Sequence, residues 1–109
     1  MGSRIYLGEL EELILLMVAL LDKEAYAVSI AGELVSQAGR EISLSAIHAV
    51  LHRLEEKGFV RSELGGASAE RGGRRKRLFR ITAYGYNAIA ELRDTRNLIW
   101  KQLPKTSWA

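Results

Sequence analysis

An uninterrupted apolar run at residues 13 to 21 follows three glutamates near the start of the chain. At nine residues the run is far shorter than the roughly twenty that a membrane-spanning helix needs, so it predicts a helix inside a folded domain. The helix should cover residues 6 to 21, with one apolar stripe formed by Leu7, Leu10, Ile14, Met17 and Leu21. Because leucines and valines also fill its other faces, the helix must be covered on more than one side. In so small a chain, we expect a second subunit to supply part of that cover.

Length and composition limit the classes to which the protein can belong. The chain has 109 residues, the size of one small domain, and no cysteine. Disulfides, thiolate nucleophiles and cysteine-ligated zinc are therefore excluded, and a cytoplasmic location is predicted. Glutamates rather than cations precede the apolar run, which argues against a signal peptide. The sequence contains no nucleophile with a neighbouring base and no phosphate-cradling glycine loop, so neither an enzyme nor a cofactor is predicted.

Basic residues are concentrated between residues 71 and 80, a segment without an acid. Six of the chain's 16 lysines and arginines lie there, on a chain whose formal net charge is only +3: Arg71, Arg74, Arg75, Lys76, Arg77 and Arg80. Such a local concentration is typical of a site that binds a phosphate backbone. Glycine-flanked basic runs also occur in solvated loops. However, the apolar residues Leu78, Phe79 and Ile81 follow these cations at once, which predicts a strand of a hairpin.

The remaining elements follow from turn and capping residues. Gly39 should end a second helix, and Ser43 should cap a third helix that stops before Gly58. Residues 59 to 64 and 76 to 81 predict a hairpin, and Thr82 should cap a last helix that ends near residue 102. The predicted fold is mostly α with a small β-hairpin: a winged helix-turn-helix plus N- and C-terminal dimerisation helices. We expect one domain over residues 1–109, with residues 1–81 as the DNA-binding part and 82–103 as the C-terminal dimerisation helix.

The third helix has two contrasting faces. Its buried stripe should consist of Ile47, Val50, Leu51 and Leu54, and its outer face of Ser45, His48, Ala49 and His52, with Arg53 at the edge. Small, hydrogen-bonding side chains allow a helix to enter a groove of DNA and contact bases or phosphates. The predicted DNA-binding residues are therefore Ser45, His48, His52 and Arg53 on this helix, and Arg71, Arg74, Arg75, Lys76 and Arg77 in the wing.

His48 and His52 also have the spacing of half a zinc site. Because no cysteine, third histidine or suitably placed acid accompanies them, we expect two imidazoles that face DNA or water and no bound metal.

The first and last helices are expected to form a dimer interface. Its predicted residues are Leu7, Leu10, Ile14, Leu92 and Ile99.

Several short segments resemble the PadR-type transcriptional regulators over about residues 7 to 92. They are Gly8-Glu9-Leu10, Ala25-Tyr26, Leu51-His52-Arg53-Leu54-Glu55-Glu56-Lys57-Gly58, Glu70-Arg71-Gly72-Gly73-Arg74-Arg75, and Arg80-Ile81-Thr82 with Gly85. The resemblance implies a winged-helix repressor that dimerises through its first and last helices and binds a palindromic operator. It also implies release from DNA by a small hydrophobic effector. Aromatic residues near the C-terminus line the effector pocket in some relatives, so Trp100 is the candidate for that role here; ordinary packing in the dimer is the alternative for Trp100. Family members commonly have Tyr-Pro where this chain has His48 and Ala49, so contacts of that tyrosine are not transferred.

Taken together, these patterns predict a sequence-specific transcriptional regulator that binds double-stranded DNA as a homodimer, not a membrane protein. The alternative is a winged-helix protein interaction module whose basic hairpin docks on an acidic partner. A docking surface of that kind should carry apolar anchors on the third helix. The polar outer face favours DNA.

Overall fold

The computed structural model describes residues 6–65 and 76–105. The elements follow in the order α1 (Glu9–Leu21), α2 (Ala27–Ala38), α3 (Leu44–Glu56), β1 (Val60–Leu64), β2 (Arg77–Ile81) and α4 (Ala83–Lys101), with a 3-10 turn (Asp22–Glu24) between α1 and α2. The two strands are antiparallel neighbours in one sheet. Helices α2 and α3 form the helix-turn-helix and the hairpin forms the wing, so the predicted fold class is confirmed.

The residues predicted to end α2 and to cap α3 have those roles in the structure. Gly39 has a left-handed φ of 64°, and the next amide, Arg40 N, donates to the oxygen of Leu34 at 3.0 Å, which closes the last turn of α2. Ser43 Oγ accepts a hydrogen bond of 3.2 Å from Ala46 N and so caps α3.

Helix α1 begins at Glu9, three residues later than the predicted start. Gly8 is extended, with φ −65° and ψ 164°. Its amide donates to Glu11 Oε1 at 2.8 Å, as in the reciprocal half of a capping box. The apolar pattern did not reveal this start, because Leu7 still packs against the core although it precedes the helix.

The core lies where α1, α2 and α3 meet and extends under the hairpin to the start of α4. The largest side chains with less than 2% exposure are Ile14, Leu15, Val18, Ile30, Leu34, Ile47, Leu51, Leu54 and Val60. Each of these contributes about 1.5 to 3 kcal/mol through removal of apolar surface from water. With Val50 only 2% exposed, the predicted buried stripe of α3 is confirmed.

The hairpin is attached to the helices by its inner face and by one strand edge. Val60 and Phe79 are buried, while Phe79 N donates to the oxygen of Ala25 at 2.8 Å, just before α2. In the register of the two strands, Ser62 lies opposite Phe79. The backbone therefore fixes the base of the wing beside the helix-turn-helix.

The start of α4 is packed directly against the end of α3. Thr82 Oγ1 donates to the oxygen of Gly58 at 2.8 Å and accepts from Gly85 N at 3.0 Å, so the predicted cap of α4 is confirmed. The ring of Tyr84 stacks on Phe59 with centroids 5.0 Å apart. A Cβ added at Gly85 would collide with the carbonyl oxygen of Phe59. Only glycine permits this close approach of the helix to the backbone.

We predict that Gly85→Ala destabilises the fold by about 2 to 3 kcal/mol, because the backbone of Phe59 must move to admit a methyl group. Gly32→Ala is the matched control, since no heavy atom outside its own helix backbone and chain neighbours lies within 4 Å of a Cβ added there. That control should gain about 0.4 to 1 kcal/mol. Urea unfolding measures both; equal stabilities of the two variants would contradict the close packing of α4.

Candidate nucleic-acid interface

The outer face of α3, formed by Ser45, His48, Ala49 and His52, is exposed and lies opposite the buried stripe. Ser45 Oγ lies 3.3 Å from Ser43 Oγ, and His52 Nε2 lies 3.4 Å from Glu56 Oε2. Within the described parts of the chain, the side chain of His48 makes no hydrogen bond or ion pair. The three predicted polar residues therefore share one surface, and the imidazole nitrogens of His48 are available to a ligand.

Arg53 lies at the edge of this face and is held to the side by α1. Its Nε donates to Glu11 Oε2 at 3.3 Å, while 51% of its side-chain surface remains exposed. The hydrogen bond to Glu11 occupies only the Nε donor. The Nη groups of the same planar guanidinium take no part in that bond.

Glu11 is the buried acid that joins the start of α1 to the end of α3. Its residue exposure is 7%, and its carboxylate accepts hydrogen bonds from Gly8 N, Arg53 Nε and Lys57 Nζ, with both Lys57 distances near 3 Å: 3.1 and 3.0 Å. Burial raises the pKa of Glu11, but the hydrogen bonds from Gly8, Lys57 and Arg53 and the charge of Lys57 together lower that pKa below its ordinary value. Glu11 therefore stays ionised and fixes the C-terminal end of α3.

Of the five cations predicted for the wing, the structure describes two. Arg71, Arg74 and Arg75 lie outside them. Lys76 Nζ lies 4.1 Å from the centre of the Tyr26 ring, at the start of α2, and Arg77 Nη1 donates to Ser62 Oγ at 3.0 Å. The two cations that the structure describes therefore lie at the base of the wing, in contact with its own chain.

Two arginines lie on the outer surface of the hairpin: Arg80, which belongs to the basic cluster of the sequence, and Arg61, which sequence reasoning missed. Arg61 and Arg80 are exposed and directly opposite each other across the strands. Arg80 lies 3.6 Å from Asp22, which offsets part of the repulsion between the two cations. The alternation of buried Val60 with Arg61 was the signal that could have placed Arg61 on this surface.

The residues predicted for a dimer interface differ widely in exposure. Ile14 is completely buried within the single chain, so it packs the core and has no surface to offer a partner. Leu7, Leu10 and Leu92 are half-buried, whereas Ile99 is 56% exposed. The helical spacing of apolar residues could not distinguish core residues from exposed ones, because α1 has apolar residues on several faces.

A groove of about 580 Å³ runs between α1 and α4. Its apolar lining includes Leu16, Leu20 and Tyr86, which are exposed and were not predicted as interface residues. Arg96 Nη2 and Glu12 Oε1, 3.1 Å apart, join the two helices at its polar end. Trp100, predicted for an effector pocket, does not line the groove and is 73% exposed near the end of α4.

Metal-binding clusters and membrane-spanning helices are both absent from the described residues. Over residues 6–65 and 76–105, no three histidine, cysteine or acidic side chains are grouped closely enough for a metal ion. Over the same ranges, none of the helices has the length and apolar character required to cross a membrane.

The sequence of this winged-helix domain also matches a protein-family model. Residues 15–91 match the model described as the Transcriptional regulator PadR-like family. The chain belongs to this family. It is accordingly a PadR-like regulator of the DNA-binding winged-helix type, not an enzyme.

Solved structures of PadR-like regulators have the same fold. One from Clostridium difficile superposes with a TM-score of 0.71 at 19% identity, over 86% of this chain and 93% of that chain. Another from Bacillus cereus gives 0.69 at 18% identity, over 85% of each chain. A third, from Eggerthella lenta, gives 0.66 at 22% identity, over 86% of this chain and 81% of that one. A comparison with curated protein sequences gives no significant match.

Glu11 should make the PadR-like fold sensitive to acid. The folded chain stabilises the ionised form of Glu11 relative to the unfolded chain, so its pKa is lower when folded. The ionised carboxylate therefore adds fully to the free energy of unfolding above the ordinary glutamate pKa of about 4.3, and this contribution is lost as pH falls through the lower folded pKa. Glu11→Gln should lower the free energy of unfolding by about 1 to 3 kcal/mol near neutral pH. The stability of this variant should also change less with pH in the acid range than that of the wild type.

The matched control is Glu91→Gln, since Glu91 is exposed on α4 and its side chain makes no hydrogen bond or ion pair with the described residues. Urea unfolding between about pH 3 and about pH 7 gives the free energies. If the Glu11→Gln and wild-type curves stayed parallel across that range, Glu11 would not be the acid-sensitive group.

Proposed function

We propose that the protein is a cytoplasmic, homodimeric repressor that binds a palindromic operator in double-stranded DNA. The observation that carries this proposal is the outer face of α3, which presents hydroxyl and imidazole groups on an exposed, otherwise small-residue surface. The basic hairpin lies beside the same helix. This combination supports entry of α3 into the major groove with the hairpin on the flanking backbone.

On α3, His48 and His52 are the residues proposed to distinguish bases. An imidazole offers one donor and one acceptor when neutral, which suits the hydrogen-bonding edges of bases in the major groove. Ala49 adds no bulk between them, so the helix backbone can approach closely. Ser45 and the free Nη groups of Arg53 are proposed to contact phosphate at the two ends of this surface.

In the wing, Lys76 and Arg77 are proposed to bind phosphate from the hairpin base. Arg71, Arg74 and Arg75, which lie outside the described residues, are proposed on charge and sequence position to extend that contact along the backbone or into the minor groove.

The dimer is proposed from the second half of α4. Residues 93–101 are all exposed, although they include Leu98, Ile99 and Trp100 at 62%, 56% and 73% exposure. So large an apolar surface on one helix end favours contact with a second copy. The groove between α1 and α4, with Leu16 and Leu20, offers that copy a complementary apolar surface. A two-fold dimer would present two α3 helices to a palindromic operator.

A small hydrophobic effector is proposed to bind near Trp100 at the dimer interface. The exposed indole and the neighbouring apolar residues of α4 suit such a molecule. A molecule wedged between the α4 helices would change the separation of the two α3 helices and so weaken binding to the operator. Release from DNA is what the family resemblance implies.

The test is selection of duplexes from a random DNA pool, followed by measurement of affinity against salt concentration. We expect an inverted repeat. His52→Ala should change the preferred bases, whereas Lys76→Gln should weaken binding to all duplexes and lower the salt slope by about one. Weak binding without sequence preference would reject the repressor and favour a module that binds an acidic protein.

Substitution in the exposed end of α4 should separate the dimer. Ile99→Glu places a charge in the proposed apolar contact, so sedimentation at micromolar concentration should give the mass of one chain, against twice that mass for the wild type. Asn87→Glu, exposed on the same helix but away from the groove, is the control and should remain dimeric. A dimeric Ile99→Glu variant would move the interface elsewhere.

A further inference from the structure

The outer edge of β1 faces the last turn of α3. Ser62 lies opposite Phe79 in the hairpin, and Phe79 N is directed away from β1 because it donates to Ala25. This pair is thus one in which neither amide bonds across the strands, so Ser62 N also points outward. It donates to Glu55 Oε2 on α3 at 3.1 Å.

The side chain of Ser62 extends this contact to the wing cation Arg77. Ser62 Oγ lies 2.8 and 3.0 Å from the two oxygens of the Glu55 carboxylate, to which it donates its one proton. The same Oγ accepts from Arg77 Nη1 at 3.0 Å. A relay of hydrogen bonds therefore joins the end of α3, the middle of β1 and the first residue of β2.

The chemistry of the relay leaves Arg77 able to bind an anion. A guanidinium has five N–H donors in a rigid plane, and the bond to Ser62 occupies only one of them. Since the guanidinium is planar, this single bond also restricts the direction in which the remaining donors point. Both Arg77 and Glu55 are exposed, so the relay stabilises the fold only slightly. Its main effect is to orient the guanidinium of Arg77.

We infer that Glu55 is a positioning residue of the DNA interface: through Ser62 it sets the wing, and the guanidinium of Arg77, relative to the outer face of α3. The inference rests on the proposed function and adds an acidic side chain to an interface whose contacts are otherwise cationic or neutral. Glu55 itself is not proposed to contact phosphate.

Loss of the Glu55 carboxylate has opposite expected effects on DNA affinity, depending on whether it acts through charge alone or by positioning Arg77. Loss of an acid beside a phosphate backbone reduces repulsion, and by charge alone it should strengthen binding. If Glu55 positions Arg77, Glu55→Ala should instead weaken binding by about threefold to tenfold and lower the salt slope, because a phosphate contact is lost.

Four single variants, including Glu55→Ala, and one double variant test this by affinity for the selected duplex across a salt series. Ser62→Ala breaks the relay without a change of charge and should weaken binding as Glu55→Ala does. Glu63→Ala is the charge-matched control, because Glu63 neighbours Ser62 but its side chain has no hydrogen bond or ion pair within the described residues; it should bind as tightly as the wild type or more tightly. Arg77→Ala should weaken binding and lower the slope by about one. In the Arg77→Ala background, Glu55→Ala should cost almost nothing more.

A second measurement follows the relay without DNA. Ser62 N has the Glu55 carboxylate as its acceptor, so its amide hydrogen should exchange faster in Glu55→Ala, whereas the amide of Phe79, held by Ala25, should not. Tighter binding by Glu55→Ala, as for the control, or additive losses with Arg77→Ala would overturn the inference. So would unchanged exchange at Ser62. If the wild type bound no duplex, the proposed function and the positioning role would both fail, while the exchange data would still report whether the relay forms.

Discussion

The burial of α1 on several sides is the constraint on which the rest of the structure depends. Ile14, Leu15 and Val18 have no exposed surface, because α2, α3, β2 and α4 all contact this one helix. The helix-turn-helix, the wing and the proposed dimerisation helix are therefore arranged around a common axis. Among the described residues, the side of α1 that carries Leu16 and Leu20 stays uncovered and lines the groove beside α4.

Two glutamates tie the basic elements to this framework. Glu11 holds Arg53 and Lys57 at the end of α3, and Glu55 holds Ser62 of the hairpin, which in turn accepts from Arg77. In each case a carboxylate limits where a cation can point. If these cations bind phosphate as proposed, the two carboxylates contribute to the interface, since unconstrained arginines would lose more conformational entropy on binding.

Much of the fold could be predicted from local signals. Gly39, Ser43 and Thr82 end or begin helices through backbone geometry and side-chain capping, which depend on neighbouring residues only. The start of α1 and the burial of Ile14 could not be predicted equally well. Apolar spacing marks a residue as buried, but it does not say whether its own chain or a partner covers it.

The sequence by itself determined the order of elements, the polar outer face of α3 and the basic composition of the wing, because these follow from periodicity, capping and charge along the chain. Only the tertiary structure decided which polar groups meet. The contacts of Glu11 with Lys57, of Glu55 with Ser62 and of Lys76 with the Tyr26 ring join different elements. Such contacts depend on how helices and hairpin pack in three dimensions, and no spacing within one segment encodes them.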